Sequence, residues 1–168
     1  RMTEQERIGL IIVNTGNGKG KTTAALGTAL RAVGGEFKVF MVQFIKGSWD
    51  YGELHVVHRL APNFELRQMG EGFTWETNDP ARDTEVANKA WDFCKSLIEK
   101  NEHDLLIFDE INNAMDYGYL DVDDVVAALE NKPKDMHIIL TGRNAPQAII
   151  DAANLVTEMR EVKHPFNE

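Results

Sequence analysis

The sequence predicts an α/β protein with a mostly parallel central sheet and helices on both of its faces. Two observations carry that expectation. Short runs rich in Val, Ile, Leu and Phe alternate with stretches of helical periodicity. Several of those runs are almost continuously apolar, as strands are when helices cover them on both sides.

Taken in order, the expected strands are "GLIIVNT" at Gly9 to Thr15, "KVFMVQF" at Lys38 to Phe44, "FELRQM" at Phe64 to Met69, "DLLIFDE" at Asp104 to Glu110, "HIILTG" at His137 to Gly142, and "LVTEMREV" near the end. A helix, "KTTAALGTALRAV", opens directly behind a glycine-rich loop. Ala87, Ala90, Trp91, Cys94, Leu97 and Ile98 recur at three- and four-residue spacing, as do Val122, Val125, Val126 and Leu129, so both stretches read as amphipathic helices. Trp91 and Cys94 share the apolar face of the first and read as core. Two connections are long, "IKGSWDYGE" after the second strand and "GEGFTWETNDP" after the third. With no repeat, low-complexity tract or linker, residues 1–168 are expected to form one nucleotide-binding domain, residues 1–8 being a flexible N-terminal segment.

Composition narrows the function. The chain has 168 residues, 43% hydrophobic and 27% charged, with a formal net charge of -9. That balance suits a soluble globular domain and argues against a nucleic-acid binder, which usually presents a basic face. The single cysteine, Cys94, excludes an internal disulfide framework or thiolate cage and points to a reducing cytoplasm. No apolar run approaches the ~20 residues of a membrane span. The five histidines, His55, His58, His103, His137 and His164, show no ligand spacing. A polyanion bound by so acidic a chain must meet a local positive site.

That site is "TGNGKGKTT", Thr15 to Thr23. It departs from the usual phosphate-binding pattern, Gly-x-x-x-x-Gly-Lys-Ser/Thr, because Thr15 rather than Gly16 falls where the first glycine belongs. The chemistry survives the missing residue. Gly16, Gly18 and Gly20 permit the dihedrals that aim successive N–H groups at one anion. The helix N-terminus adds partial positive charge. Lys21 supplies a full charge, Lys19 a second, and the Thr22 hydroxyl a hard oxygen for Mg²⁺; Asn17 and Thr23 complete the expected nucleotide contacts. "LLIFDE" then ends a buried strand in adjacent carboxylates, Asp109 and Glu110, at the edge where open α/β sheets place ligands. If the strand continues through both, they face opposite ways and divide the work. One reaches the metal while the other anchors the loop or orients water. Phe73 and Trp75, two apart in "GFTWET", either pin their loop to the domain or contact a large flat ligand.

In this order, "NTGNGKGKTTAALGTALRAVG", "VQFIKGSWDYGE", "GFTWET", "LLIFDE", "LTGR" and "VKHPF" resemble the ATP:corrinoid adenosyltransferases of the RecA-like P-loop type. The resemblance runs from about Gly9 to Phe166. Family members typically carry more sequence at the N-terminus and a C-terminal tail beyond "VKHPF", a difference that bears on closure of the site. The resemblance implies that cobalt(I) of a reduced corrinoid attacks the 5′ carbon of ATP and that intact tripolyphosphate leaves, in adenosylcobalamin synthesis or salvage. It implies a nucleotide lying reversed in the shortened loop, with Lys21 stabilising the departing charge. It implies Thr22 and Glu110 as contacts to Mg²⁺, or Mn²⁺ in its place, with Asp109 supporting. Arg31 and Arg143 become further nucleotide contacts, with a solvated helix residue and a surface charge as their plain alternatives. Phe73 and Trp75 become the aromatic pair below the corrin, excluding the axial ligand and easing reduction of cobalt(II); Trp49 and Lys46 border the same cavity or simply pack. A flavodoxin or other flavin reductant and a homodimer are implied as partners, the corrinoid being cobalamin, cobinamide or cobyrinic acid diamide.

Two other functions compete. A P-loop ATPase or phosphotransferase gives ADP, with Glu110 positioning water or an acceptor. A nucleotide-gated binding module gives association without turnover.

Overall fold

The computed structural model describes residues 7–45, 52–70 and 79–167. Lys46, Trp49, Phe73 and Trp75 lie outside the described residues, so the structure is silent on the aromatic loop. In chain order the elements are β1 (Ile11–Thr15), α1 (Lys21–Gly34), β2 (Val39–Gln43), α2 (Gly52–Leu60), β3 (Phe64–Gln68), α3 (Pro80–Lys100), β4 (Leu105–Asp109), α4 (Ile111–Asp116), α5 (Val122–Glu130), β5 (His137–Thr141), α6 (Gln147–Ala152) and β6 (Leu155–Glu158). The strands form one sheet in the order β3-β2-β4-β5-β1-β6, every pairing parallel.

Strand alternation explains the two-sided core. On β4, Leu106 and Phe108 join a cluster with Ala87, Trp91 and Cys94 of α3 and Val125 and Leu129 of α5. Their neighbours Leu105 and Ile107 join a second cluster with Ala25 and Ala29 of α1. Successive side chains point to opposite faces, so a strand covered on both must be apolar throughout, and β4 is buried at every position. Trp91 and Cys94 are core, as their periodicity predicts; Trp91 Nε1 donates to Asp124 Oδ2 at 2.7 Å, and burial pushes the Cys94 thiol well up, out of the reactive range.

Three helices appear where periodicity had not been read. α2 forms within what reads as a loop and its outflow: Leu54, Val57 and Leu60 recur every three residues, and Val57 and Leu60 pack on the α1 face of the sheet. α4 and α6 are six-residue helices, too short for a periodic signal. β6 stops at Glu158, earlier than the apolar run suggests, because the next residues turn back onto the glycine-rich loop.

The sheet's carboxyl edge sets the site. β5 lies between β1 and β4, so the loop leaving β1 and the acids ending β4 flank the end of β5.

Candidate functional site

β1 ends at Thr15 and α1 begins at Lys21, leaving a tight loop between them. Gly16 and Gly20 have φ of 99° and 111°, the left-handed region that glycine tolerates. Gly18 is glycine for another reason, which corrects the expectation that all three serve the anion. Its N–H donates to Met159 O at 2.7 Å, and a Cβ there would come within 2.8 Å of the Met159 carbonyl carbon. The chain leaving β6 therefore braces the loop from outside.

At Gly20 the N-cap of α1 carries no side-chain cap, whereas α3 and α5 begin with Asp79 and Asp121, whose carboxylates accept from Arg82 N and Asp123 N. α1 also has no acidic residue in its first turn. Its leading amides and partial positive charge are thus left for an external anion. Lys21 Nζ donates to Gly18 O at 2.7 Å. Burial lowers the Lys21 ammonium below its ordinary pKa, Glu110 opposing that and Arg143 and Lys19 adding to it.

The strand does not continue through both acids, so strand alternation does not govern them; a turn at Glu110 separates their environments instead. Asp109 ends β4, buried, and its Oδ1 accepts from Thr22 Oγ1 at 2.8 Å and from Thr141 Oγ1 at 2.7 Å. Glu110 turns the corner with φ 66° as the N-cap of α4, and its own N–H donates to Thr141 Oγ1 at 2.9 Å. Its carboxylate makes no cap bond. Burial, with Asp109 adjacent, pushes Glu110 up to about 7, against the pull of Lys21 and Arg143.

These groups open on one cleft of ≈ 340 Å³, lined by Asn17, Gly18, Lys19, Gly20, Lys21, Thr22, Thr23, Glu110, Asn113 and Arg143. Most of the expected contacts line it, while Gly16 and the buried Asp109 stand behind the lining, Asp109 bonded to Thr22. Arg31 is remote from it. It lies in the last turn of α1, about 15 Å along the helix from Lys21 at ~1.5 Å per residue, beside a separate apolar cavity.

Sequence reading missed Thr141, Asn112 and Asn113. Asn112 Nδ2 donates to Gly142 O at 3.2 Å, and Asn113 Oδ1 accepts from Arg143 N at 3.0 Å. Together with the Thr141 to Glu110 bond they clamp the first turn of α4 to the exit of β5. Only the strand order, with β5 next to β4, brings "TGR" against "EINN"; no spacing along the chain signals it.

The family model for ATP:corrinoid adenosyltransferase BtuR/CobO/CobP matches residues 7–168. The chain belongs to that family. Curated adenosyltransferases confirm the match: a corrinoid adenosyltransferase of Sinorhizobium sp is 46% identical over 166 residues, 98% of this chain and 78% of that protein. Another, from Escherichia coli K12, is 42% identical over 163 residues, 97% of this chain and 82% of that one. Among solved structures, the flagellar accessory protein FlaH of Methanocaldococcus jannaschii shares the fold, with a TM-score of 0.65 at 14% identity over 90% of this chain and 71% of that one. The adenosyltransferase chain thus has the expected RecA-like P-loop architecture, helices covering both faces of its parallel sheet. No helix among its described residues is long and apolar enough to cross a membrane.

Proposed function

We propose that this member of the family moves the 5′-deoxyadenosyl group of ATP onto cobalt(I) of a corrinoid and releases tripolyphosphate, in the synthesis or salvage of adenosylcobalamin. A cobalt–carbon bond forms with the electron pair of cobalt(I), the bond from C5′ to the α-phosphate oxygen breaks, and that oxygen keeps the pair. The observation supporting this reading is the cleft's cationic wall: Lys19, Lys21, Arg143 and the uncapped α1 amides surround one space. Groups so placed favour charge gathering on a departing polyphosphate, and the attacking metal centre needs no general base. The nucleotide is read as lying reversed, with its ribose toward the corrinoid.

A divalent ion suits the donor set. The Thr22 hydroxyl and the Asp109 and Glu110 carboxylates are hard oxygens, and no group of three or more His, Cys, Asp or Glu forms a protein-only cage among the described residues. Mg²⁺, or Mn²⁺, typically takes one or two such protein oxygens and fills its shell from phosphate and water. Thr22 and Glu110 would hold it, with Asp109 aligning the Thr22 hydroxyl; bound there, it supplies electrostatic stabilisation of the leaving group. Lys21 binds the phosphates directly. Phe73 and Trp75 are assigned to the lower face of the corrin. A flavodoxin or other flavin donor, a homodimer, a single domain and a cytoplasmic location complete the reading.

Anaerobic incubation with ATP, Mg²⁺ and chemically reduced corrinoid tests it. Cobalt–carbon bond formation in the visible spectrum is expected in step with intact tripolyphosphate. ADP and phosphate, released at the same rate with and without corrinoid, would overturn it.

A further inference from the structure

Asn113 stands at the rim of the phosphate cleft without an assigned purpose. It occupies the first turn of α4, half-buried, three residues beyond Glu110, on the wall shared with Arg143. Its amide has one acceptor end and one donor end. The acceptor end is committed, since Oδ1 takes the Arg143 N–H at 3.0 Å. A backbone N–H can only donate, so this bond fixes which end of the amide is oxygen.

The neighbourhood keeps the side chain in that orientation. Gly142 sits at φ 127°, and a Cβ there would run into Asn113 Oδ1, so glycine leaves the room that the amide oxygen occupies. Asn112, fully buried beside it, ties the same loop through its bond to Gly142 O. Held at its oxygen, Asn113 keeps an NH₂ group that has no protein acceptor among the described residues. The cleft it lines also holds Lys19, Lys21 and Arg143.

We propose that Asn113 is a direct ligand-binding residue whose Nδ2 donates a hydrogen bond to an anionic oxygen of the bound polyphosphate, while its Oδ1 positions the Arg143 loop. The inference rests on reading the cleft as the polyphosphate site. It adds to that reading a neutral donor, from the first turn of α4, to a cleft also lined by the glycine-rich loop. A neutral donor grips an anion with directionality and adds no charge, which suits a site that must afterwards release its product.

Asn113→Asp separates the two ends of the side chain. It keeps an acceptor for Arg143 N but turns the donor toward the ligand into an anionic oxygen. Calorimetric titration with inorganic tripolyphosphate and Mg²⁺ is expected to show fivefold or greater weakening, since a hydrogen bond to a charged group is worth roughly tenfold or more. The KM for ATP should rise with it, while thermal unfolding stays close to wild type. Asn113→Ala, which loses both ends, should bind no more weakly than Asn113→Asp. A purely positioning role leaves the Asn113 side-chain amide signals of the wild-type protein unmoved on adding tripolyphosphate, even though the new carboxylate of Asn113→Asp would still repel the ligand, whereas a donating Nδ2 shifts those signals. Weakening of less than fivefold in Asn113→Asp overturns the proposal. If that variant does not unfold cooperatively, the wild-type side-chain amide signals of Asn113 decide: they shift on adding tripolyphosphate, and unmoved signals overturn it. Lys21→Ala keeps the parent reading separate. If Lys21→Ala binds tripolyphosphate as wild type does, the cleft assignment itself fails. If only Asn113→Asp is silent, the assignment of Asn113 alone falls.

Discussion

The two ends of α1 each set a basic residue beside a cavity of similar size, ≈ 340 Å³ at Lys21 and ≈ 360 Å³ at Arg31, yet only one end is equipped for a polyanion. At the N-terminal end the amides are uncapped, Lys19 and Arg143 add charge, and Thr22 meets the carboxylate that ends β4. At the C-terminal end the wall is Leu10, Ile12, Phe37 and Leu105, and the helix carbonyls are used, with Gly35 N donating to Ala32 O at 3.0 Å. His137 is committed as well, its Nδ1 accepting from Leu10 N at 3.0 Å; burial first, then Arg7 and Lys132, holds it below the ordinary histidine pKa and so neutral. The peptide dipoles explain the asymmetry. A cation in a last helical turn offsets the helix's own partial negative charge and needs no ligand, whereas a cation in the first turn adds to a positive end and demands one.

The largest expected effect breaks or confirms that contrast directly. Lys21→Ala should lower kcat/KM for adenosyl transfer by roughly two to three orders of magnitude, the usual loss when one preorganised charge-stabilising group is removed. Arg31→Ala should stay within about threefold, because a solvated last-turn charge contributes only tenths of a kcal/mol. Initial rates of cobalt–carbon bond formation check both. Equal losses would show that the two ends act as one site.

Much of this was legible in advance, for physical reasons that differ by residue. β4 could be read because a strand buried on both faces leaves a continuous apolar run up to Asp109, and the position of the loop could be read because glycines break the pattern between an apolar strand and a helix. Thr141 and Asn113 could not be read, since their roles depend on β5 lying between β1 and β4 and on a bend at Glu110, neither of which has a local signature. Gly18 was misread because its constraint comes from Met159, far along the chain. Arg31 matched a motif whose neighbours in sequence are not its neighbours in space.

Glu110→Gln sharpens the comparison from the acidic side. Glu110 has a folded pKa of about 7, above its unfolded value of 4.5, so the native state binds more protons between those pH values. Its contribution is therefore fully present below about pH 4.5, declines as pH rises through 7, and leaves the alkaline native state carrying a buried charge. Removing that charge should stabilise the protein at pH 8 by on the order of 2 kcal/mol relative to its effect at pH 5. On the proposed role of Glu110 as a contact to Mg²⁺, transfer assayed with that ion should meanwhile fall by roughly a hundredfold, the order lost with one preorganised charge-stabilising group. Denaturant titrations at the two pH values, paired with rates, test both signs. A variant destabilised at pH 8 would mean that the carboxylate is paired rather than strained.

A smaller effect separates what holds the loop from what the loop holds. Gly18→Ala pushes a Cβ against the Met159 and Arg160 backbone, atoms that cannot rotate away, and should cost about 1–3 kcal/mol of stability. Gly20→Ala meets nothing within 4 Å but keeps φ 111°, for a cost of about 1–2 kcal/mol. The distinction lies in rescue: saturating ATP should recover little stability in Gly18→Ala if β6 rather than nucleotide braces that residue. Melting curves with and without ATP decide it.

The smallest expected effect concerns the span between the two ends. Gly27 lies midway along α1, exposed, with nothing within 4 Å of where a Cβ would stand. Nothing in the fold requires glycine there, so Gly27→Ala should stabilise the helix by about 0.4–1 kcal/mol by restricting the unfolded chain, raising Tm by roughly 1–3 °C. Transfer rates should not change if the proposed cleft at the N-terminal end of α1 is where the chemistry occurs, since Gly27 does not line it. A stabilised variant with a markedly altered rate would mean that bending of α1 takes part in turnover, and the two ends, so unlike in their chemistry, would then be mechanically coupled.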